Sequence, residues 1–251
     1  VSLLSLPLSY SANAQTRTYI VGAEQLDYYP HFDFDRSEDK GFAWQVLQQF
    51  AARHDIQFNY ISLPPKRLQL ELDKGTIDFA YPDNPRWQHH DIQVRQNKIF
   101  SQGLALGIYG TMVRQENLGQ SVEQFNKLAF PIGFTPVKWQ QLFKQYNIKT
   151  IETYDAAGAI LAVARGRADG ADIEYNVAAY LGSVSPDNLR LQLNPDLPFS
   201  AVNFSLSTFA HPELIEQLDQ FLIENQELIN NLKARYQLQQ SIEPRDYVKA
   251  K

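Results

Sequence analysis

The sequence predicts an α/β protein of two similar lobes, each a mostly parallel sheet flanked by helices. From Thr18 onward, apolar stretches of helical period alternate with short runs rich in β-branched and aromatic residues. That is the pattern of strands joined by crossover helices. A short pattern also occurs twice, as Leu72-Asp-Lys-Gly75-Thr-Ile-Asp78-Phe-Ala80 and Val163-Ala-Arg-Gly166-Arg-Ala-Asp169-Gly-Ala171. Each copy follows a helix-period stretch, so Gly75 and Gly166 read as helix stops, where glycine takes positive φ cheaply. Each copy then runs into a short apolar segment that reads as a buried strand. Two such units predict two lobes, and a cleft between lobes is where a small ligand would sit.

The elements follow in order. Thr18–Gly22 reads as a strand, and a polar, aromatic loop from Glu24 to Asp39 follows it. Lys40-Gly41-Phe42 opens a helix to about His54, with Phe42, Val46, Leu47 and Phe50 on one face. Gln57–Ile61 is a strand, Pro64 and Pro65 start a helix that ends at Gly75, and Phe79–Tyr81 is a strand that Pro82 should break. Ile99–Ser101 and Leu104–Val113 read as extended, the latter carrying the chain between lobes, and Ser121–Lys127 is a short polar connection or helix. Leu128–Phe134 is a strand, after which Thr135 as N-cap and Pro136 at the first position start a helix. Thr150–Tyr154 is a strand, Asp155 caps the helix ending at Gly166, Gly170–Ile173 is a strand, and Val177–Leu181 is a short helix. Ser183–Ser200 reads as loop plus one strand, Phe204–Phe209 as the returning strand, and Pro212–Tyr236 as helix.

Composition narrows the function classes. The chain has 251 residues, 44% hydrophobic and 20% charged, with a net charge of −5. That is ordinary globular composition, and no clustered Lys and Arg are present to neutralise nucleic-acid phosphates. Residues 1–10 are apolar and uncharged, and Ala12-x-Ala14 is a small-x-small cleavage site. Residues 1–14 therefore read as the remnant of a signal peptide, with Gln15 as the mature start. There is no Cys, hence no disulfide, no thiolate metal site, no Cys nucleophile and no lipid-anchor Cys. Export without Cys points to the bacterial periplasm.

The order of segments carries a resemblance. A strand, an aromatic loop, the Gly41-Phe42 helix, Leu72-x-x-Gly75-x-x-Asp78, a loop bearing Arg86, Phe100-Ser101, a crossover, Ile132-Gly133-x-Thr135 and Gly166-x-x-Asp169 succeed one another. This order resembles the extracellular solute-binding proteins of family 3, with the type II periplasmic binding fold. One departure is the helix start, where the family's Gly-Phe-Asp-x-Asp is Gly41-Phe42-Ala43-Trp44-Gln45. The resemblance implies a split first lobe, 17–107 plus 204–251, and a second lobe, 108–203. It implies a monomer that captures an amino acid or similar solute and hands it to the membrane permease of an ABC transporter. No cofactor and no catalysis are implied.

Candidate ligand residues follow from what an amino-acid-like solute needs. Arg86, in Pro82-Asp-Asn84-Pro-Arg86, matches the family's carboxylate clamp, for which a guanidinium fork is suited; Asn84 shares that loop, and Arg67 is the alternative cation. Thr135 stands at a predicted helix start that favours an anion. Glu174 lies where the family places the acid for the ligand ammonium. Tyr28 and Tyr29, with Tyr81 and Trp139, offer an aromatic wall. His89-His90-Asp91 does not make a metal site, because adjacent histidines in an extended segment point in opposite directions. Two rival readings stay open: an enzyme on the same fold, dehydratase-like, using Glu174 or His31, and a sensing module that docks to a membrane receptor.

Overall fold

In the computed structural model, the residues described are 16–87, 97–185 and 189–241. The expected signal segment and His89-His90-Asp91 lie outside them. The elements run β1 (Arg17–Glu24), α1 (Phe42–Arg53), β2 (Ile56–Leu63), α2 (Pro65–Asp73), β3 (Phe79–Asp83), β4 (Ile99–Phe100) and β5 (Ala105–Val113). After them come β6 (Lys127–Pro131), α3 (Gln140–Gln145), β7 (Lys149–Thr153), α4 (Ala156–Ala164), β8 (Gly170–Glu174) and α5 (Tyr175–Val184). The chain closes with β9 (Gln192–Leu193), β10 (Phe199–Thr208), α6 (Pro212–Glu224) and α7 (Gln226–Arg235).

The strand order is β2-β1-β3-β10-β5-β8-β6-β7, with β4 on β10 and β9 on β5. β1 lies parallel to β2 and β3, and β6 lies parallel to β7 and β8. Two long strands join these halves. Phe199–Phe204 of β10 pairs antiparallel with β5, whereas Ser205 and Ser207 pair with β3. The strand thus changes partner between Phe204 and Ser205, and the chain crosses there.

The doubled pattern is doubled in structure. Gly75 and Gly166 both have φ of 70°. Gly75 N–H donates to Leu72 O and Thr76 N–H to Glu71 O; Gly166 N–H donates to Val163 O and Arg167 N–H to Ala162 O. This pair of bonds is the Schellman ending, which a positive φ makes possible. The aspartates repeat too. Asp78 Oδ2 accepts Ile20 N–H at 2.6 Å, and Asp169 Oδ2 accepts Lys127 N–H at 2.8 Å and Asn126 N–H at 2.7 Å. Each carboxylate fastens the strand beside it, so both serve the scaffold.

Several boundaries differ from the sequence expectation. β3 continues through a cis Tyr81–Pro82 bond to Asp83. β6 ends at Pro131 rather than Phe134. The expected helix at Thr135 is a 3-10 turn, Val137–Trp139, followed by the six-residue α3, and Thr135 caps neither. The C-terminal helix breaks at Asn225, whose side chain donates to Phe221 O at 2.8 Å and so ends α6 locally. Asp155 does cap α4, accepting Gly158 N–H at 2.7 Å. The largest core cluster runs from α1 and the first sheet across Phe204 to α4 and α5, with a smaller one around Trp139 and Phe125. No helix among the described residues is long and apolar enough to cross a membrane.

Candidate functional site

Four carboxylates stand at the C-terminal ends of strands. Glu24 closes β1, Asp83 closes β3, and Asp172 and Glu174 lie two apart on β8. Residues two apart on a strand share a face. In open α/β sheets these ends form the ligand crevice.

Two of the four are compensated inside the protein. Asp83 Oδ2 lies 2.5 Å from Lys98 Nζ and accepts Ser207 Oγ–H at 2.7 Å. Glu174 has no exposed surface. Its Oε1 accepts Ile108 N–H at 3.0 Å, Asn176 Nδ2 at 2.9 Å and His31 Nε2 at 3.1 Å, and its Oε2 accepts Val177 N–H at 2.8 Å. The last of these bonds makes Glu174 the N-cap of α5.

The other two have no such partners. Among the described residues the side chain of neither Glu24 nor Asp172 makes a hydrogen bond or an ion pair, and both residues are half-buried. Burial, with the Asp83 charge beside it, pushes the Glu24 carboxyl up to about 7. Burial pushes Asp172 up to about 7 as well. Desolvation disfavours the charged form of an acid that no cation faces. Burial likewise raises the Tyr109 hydroxyl; Tyr28 hydrogen-bonds to it, and Glu174, Glu24 and Asp172 all act on it by charge. Three of the four acids thus act on one tyrosine of the crossing strand β5, which pairs directly with Glu174 of β8.

Aromatic rings enclose this region. Tyr28 is 3% exposed. Its ring stacks on Phe134 and approaches Phe32, Tyr109 and Phe204. Tyr29 meets Tyr180 with centroids 4.6 Å apart, and the Arg36 guanidinium lies 4.3 Å from the Tyr29 ring centre.

The remaining sequence candidates fall in different places. Arg86 is exposed and donates from Nη2 to Ala201 O at 3.2 Å. Asn84 is buried, donates to Asn203 O at 2.8 Å and accepts Arg86 N–H at 2.8 Å, so it braces its loop on β10. Arg67 is exposed on α2 and pairs with Glu71 one turn on. Tyr81 is buried against Phe32 and Phe34, and its hydroxyl has no hydrogen-bond partner among the described residues. Thr135 is exposed beside the 3-10 turn, so the anion-favouring helix end expected there is not formed. Trp139 requires a correction: it has no exposed surface, donates to Thr111 Oγ1 at 3.1 Å, and packs on Phe125 and Phe143. An indole enclosed in that cluster belongs to the core rather than to a ligand wall.

No protein-family model matches the sequence, and no curated protein matches it. Solved structures do. An arginine transport-system periplasmic binding protein from Legionella pneumophila is 15% identical, with a TM-score of 0.63 over 88% of this chain and 100% of that one. A double mutant of the BvgS VFT2 domain of Bordetella pertussis is 20% identical, with a TM-score of 0.66 over 87% of this chain and 93% of that one. An ancestral amino-acid-binding protein, described as a precursor of cyclohexadienyl dehydratase, is 18% identical, with a TM-score of 0.63 over 87% of this chain and 95% of that one. The chain has the two-lobe type II periplasmic-binding fold. Glu24 and Asp83 lie on strands of the parallel group β2-β1-β3, and Asp172 and Glu174 on β8 of the parallel group β8-β6-β7.

Sequence reasoning did not single out Glu24, Asp172, Tyr109 or Phe134. Asp172 carried a usable signal, since it shares the strand face of Glu174. Glu24 carried little, because a strand-end Glu is usually a solvated residue.

Proposed function

We propose that the protein is a periplasmic solute-binding protein that closes on a small cationic solute of the amino-acid class and delivers it to the membrane permease of an ABC transporter. The observation that carries this reading is the pair Glu24 and Asp172. Two half-buried carboxylates, one from each sheet and neither with a cation of its own, gain from a positive charge placed between them. Half-buried Tyr109 adds aromatic surface for an amine or guanidinium, whereas Tyr28 is buried in the core and packs against it. The division into 17–107 plus 204–251 and 108–203 is part of the proposal, supported by the partner change of β10 at Phe204. Tyr29, Tyr81, Asn84, Arg86 and Thr135 surround or brace the region in this reading. The solute holds the closed state because only there do both lobes touch it.

Calorimetric titration with arginine, lysine, putrescine and glutamate tests it. Binding of at least one cation and none of glutamate is expected; no heat from any cation would remove the reading. A second reading is favoured by the same pair, because a carboxyl near 7 is suited to proton transfer at neutral pH. Turnover of a dehydratable substrate that is lost in Glu24→Gln or Asp172→Asn would support an enzyme instead.

A further inference from the structure

Glu174 is the acid that the family resemblance places against a solute ammonium, and its geometry leaves no room for one. Ile108 N–H, Asn176 Nδ2 and His31 Nε2 all meet Oε1, Val177 N–H meets Oε2, and Glu174 has no exposed surface. Three of these donors come from β5 and α5. The fourth, His31, arrives from the loop after β1. We propose that His31 sets the specificity of the site by closing the buried Glu174 carboxylate off from the loop side, so that Glu174 reads no group of the solute and the solute cation is received by Glu24 and Asp172. The solute is then recognised by a distal amine or guanidinium, and an ammonium beside its carboxylate adds nothing to affinity. The proposal rests on the solute-binding reading above.

The placement of His31 is built rather than incidental. Its N–H donates to Tyr28 O at 2.9 Å, and its carbonyl accepts Ala43 N–H at 3.0 Å at the start of α1. Its ring stands edge-on to Phe204, 5.2 Å away. Gly41 has φ of 94°, and a Cβ there would lie 3.0 Å from the carbonyl oxygens of His31 and Pro30. Glycine at that position is what lets the loop rest on the helix start. Asn176, the side-chain donor beside His31, is itself tied down, accepting Gln239 N–H at 2.7 Å. Asn176 Nδ2 lies 3.4 Å from the same His31 Nε2 but makes its shorter bond, 2.9 Å, to Glu174, so a proton on Nε2 serves the contact with Glu174. The other nitrogen, Nδ1, is buried and has no partner among the described residues. Leaving a buried polar atom unpaired is costly, and the ring is held there despite that cost.

The test compares arginine with 5-guanidinopentanoic acid, which is arginine without its α-amino group, by calorimetric titration. Wild type is expected to bind the two within about threefold; arginine tighter by about tenfold or more would overturn the proposal. His31→Ala should free Glu174 and raise arginine over its desamino counterpart by about tenfold, while His31→Gln, which keeps a donor, should restore the wild-type ratio. No change in the ratio in His31→Ala would count against the proposal. Binding of neither compound by wild type would remove the solute reading, and long-range proton–nitrogen NMR of the ligand-free protein then decides the plug alone. A slowly exchanging Nε2–H on His31 that shifts in Glu174→Gln supports it; an unprotonated or freely exchanging Nε2 overturns it.

Discussion

Tyr28 stacks on Phe134 with ring centroids 5.8 Å apart and planes inclined by 14°. Tyr28 follows β1 and Phe134 follows β6, so the contact joins the mouths of the two sheets. Offset-stacked pairs contribute about 0.5–1.5 kcal/mol beyond the area they bury. A double-mutant cycle with Tyr28→Ala and Phe134→Ala should return a coupling of about that size in urea denaturation. Both single variants should also give a larger radius of gyration by X-ray scattering, as the lobes lose a contact across the cleft. Additive variants with unchanged scattering would show that the stack does not hold the lobes together.

Glu24 and Asp172 predict a pH dependence with a definite sign. Their carboxyls move from ordinary values of 4.5 and 3.8 to about 7 on folding. The folded protein therefore holds more protons than the unfolded chain between those limits, and stability falls as pH rises. The contribution is fully present below the unfolded values and is lost by the time pH passes 7. Each group should account for on the order of 1–2 kcal/mol, less than the full shift implies because both retain some solvent contact. Denaturation at pH 5 and pH 8 measures this, and Glu24→Gln with Asp172→Asn should flatten the profile. Binding of a cation runs the other way and should strengthen as pH rises through 7.

The repeated aspartates predict paired, independent losses. Asp78→Ala removes the acceptor for Ile20 N–H, and Asp169→Ala removes it for Asn126 and Lys127. Ile20 is half-buried, and an N–H left unpaired there costs about 1–3 kcal/mol; Asn126 and Lys127 are exposed, so water replaces part of their loss and Asp169→Ala should cost less. The two losses should add in the double variant, since the sites lie in different sheets and share no partner. Strong non-additivity in thermal unfolding would show that the lobes do not carry their braces separately.

Trp139 supplies a control. Trp139→Phe loses the bond to Thr111 and part of the ring, and should cost about 1–3 kcal/mol of stability. Solute affinity should stay within about twofold of wild type, because the indole faces the core cluster. A large loss of affinity at unchanged stability would return Trp139 to the ligand wall.

The sequence alone determined the parts whose causes are local. Gly75 and Gly166 stop their helices because the positive φ needed there belongs to the residue itself. Asp155 caps α4 through a bond to Gly158, three residues away. The alternation of helix and strand was legible for the same reason, since period and capping act within a turn or two. Where two local signals competed the result was less secure. Thr135-Pro136 looks like a helix start, yet its side chain makes no cap and the chain takes a 3-10 turn.

Only the tertiary structure decided the chemistry of the site. Glu174 reads in sequence as a strand-end acid, but its partners include Ile108, 66 positions away, and His31 on the other half of the fold. Glu24 and Asp172 are ordinary carboxylates until packing removes their water without supplying a cation. Burial and charge depend on what the fold brings alongside, and those neighbours come from segments far apart in the chain. The doubled Gly-x-x-Asp pattern therefore announced two lobes, while the roles of the acids between them were set by assembly.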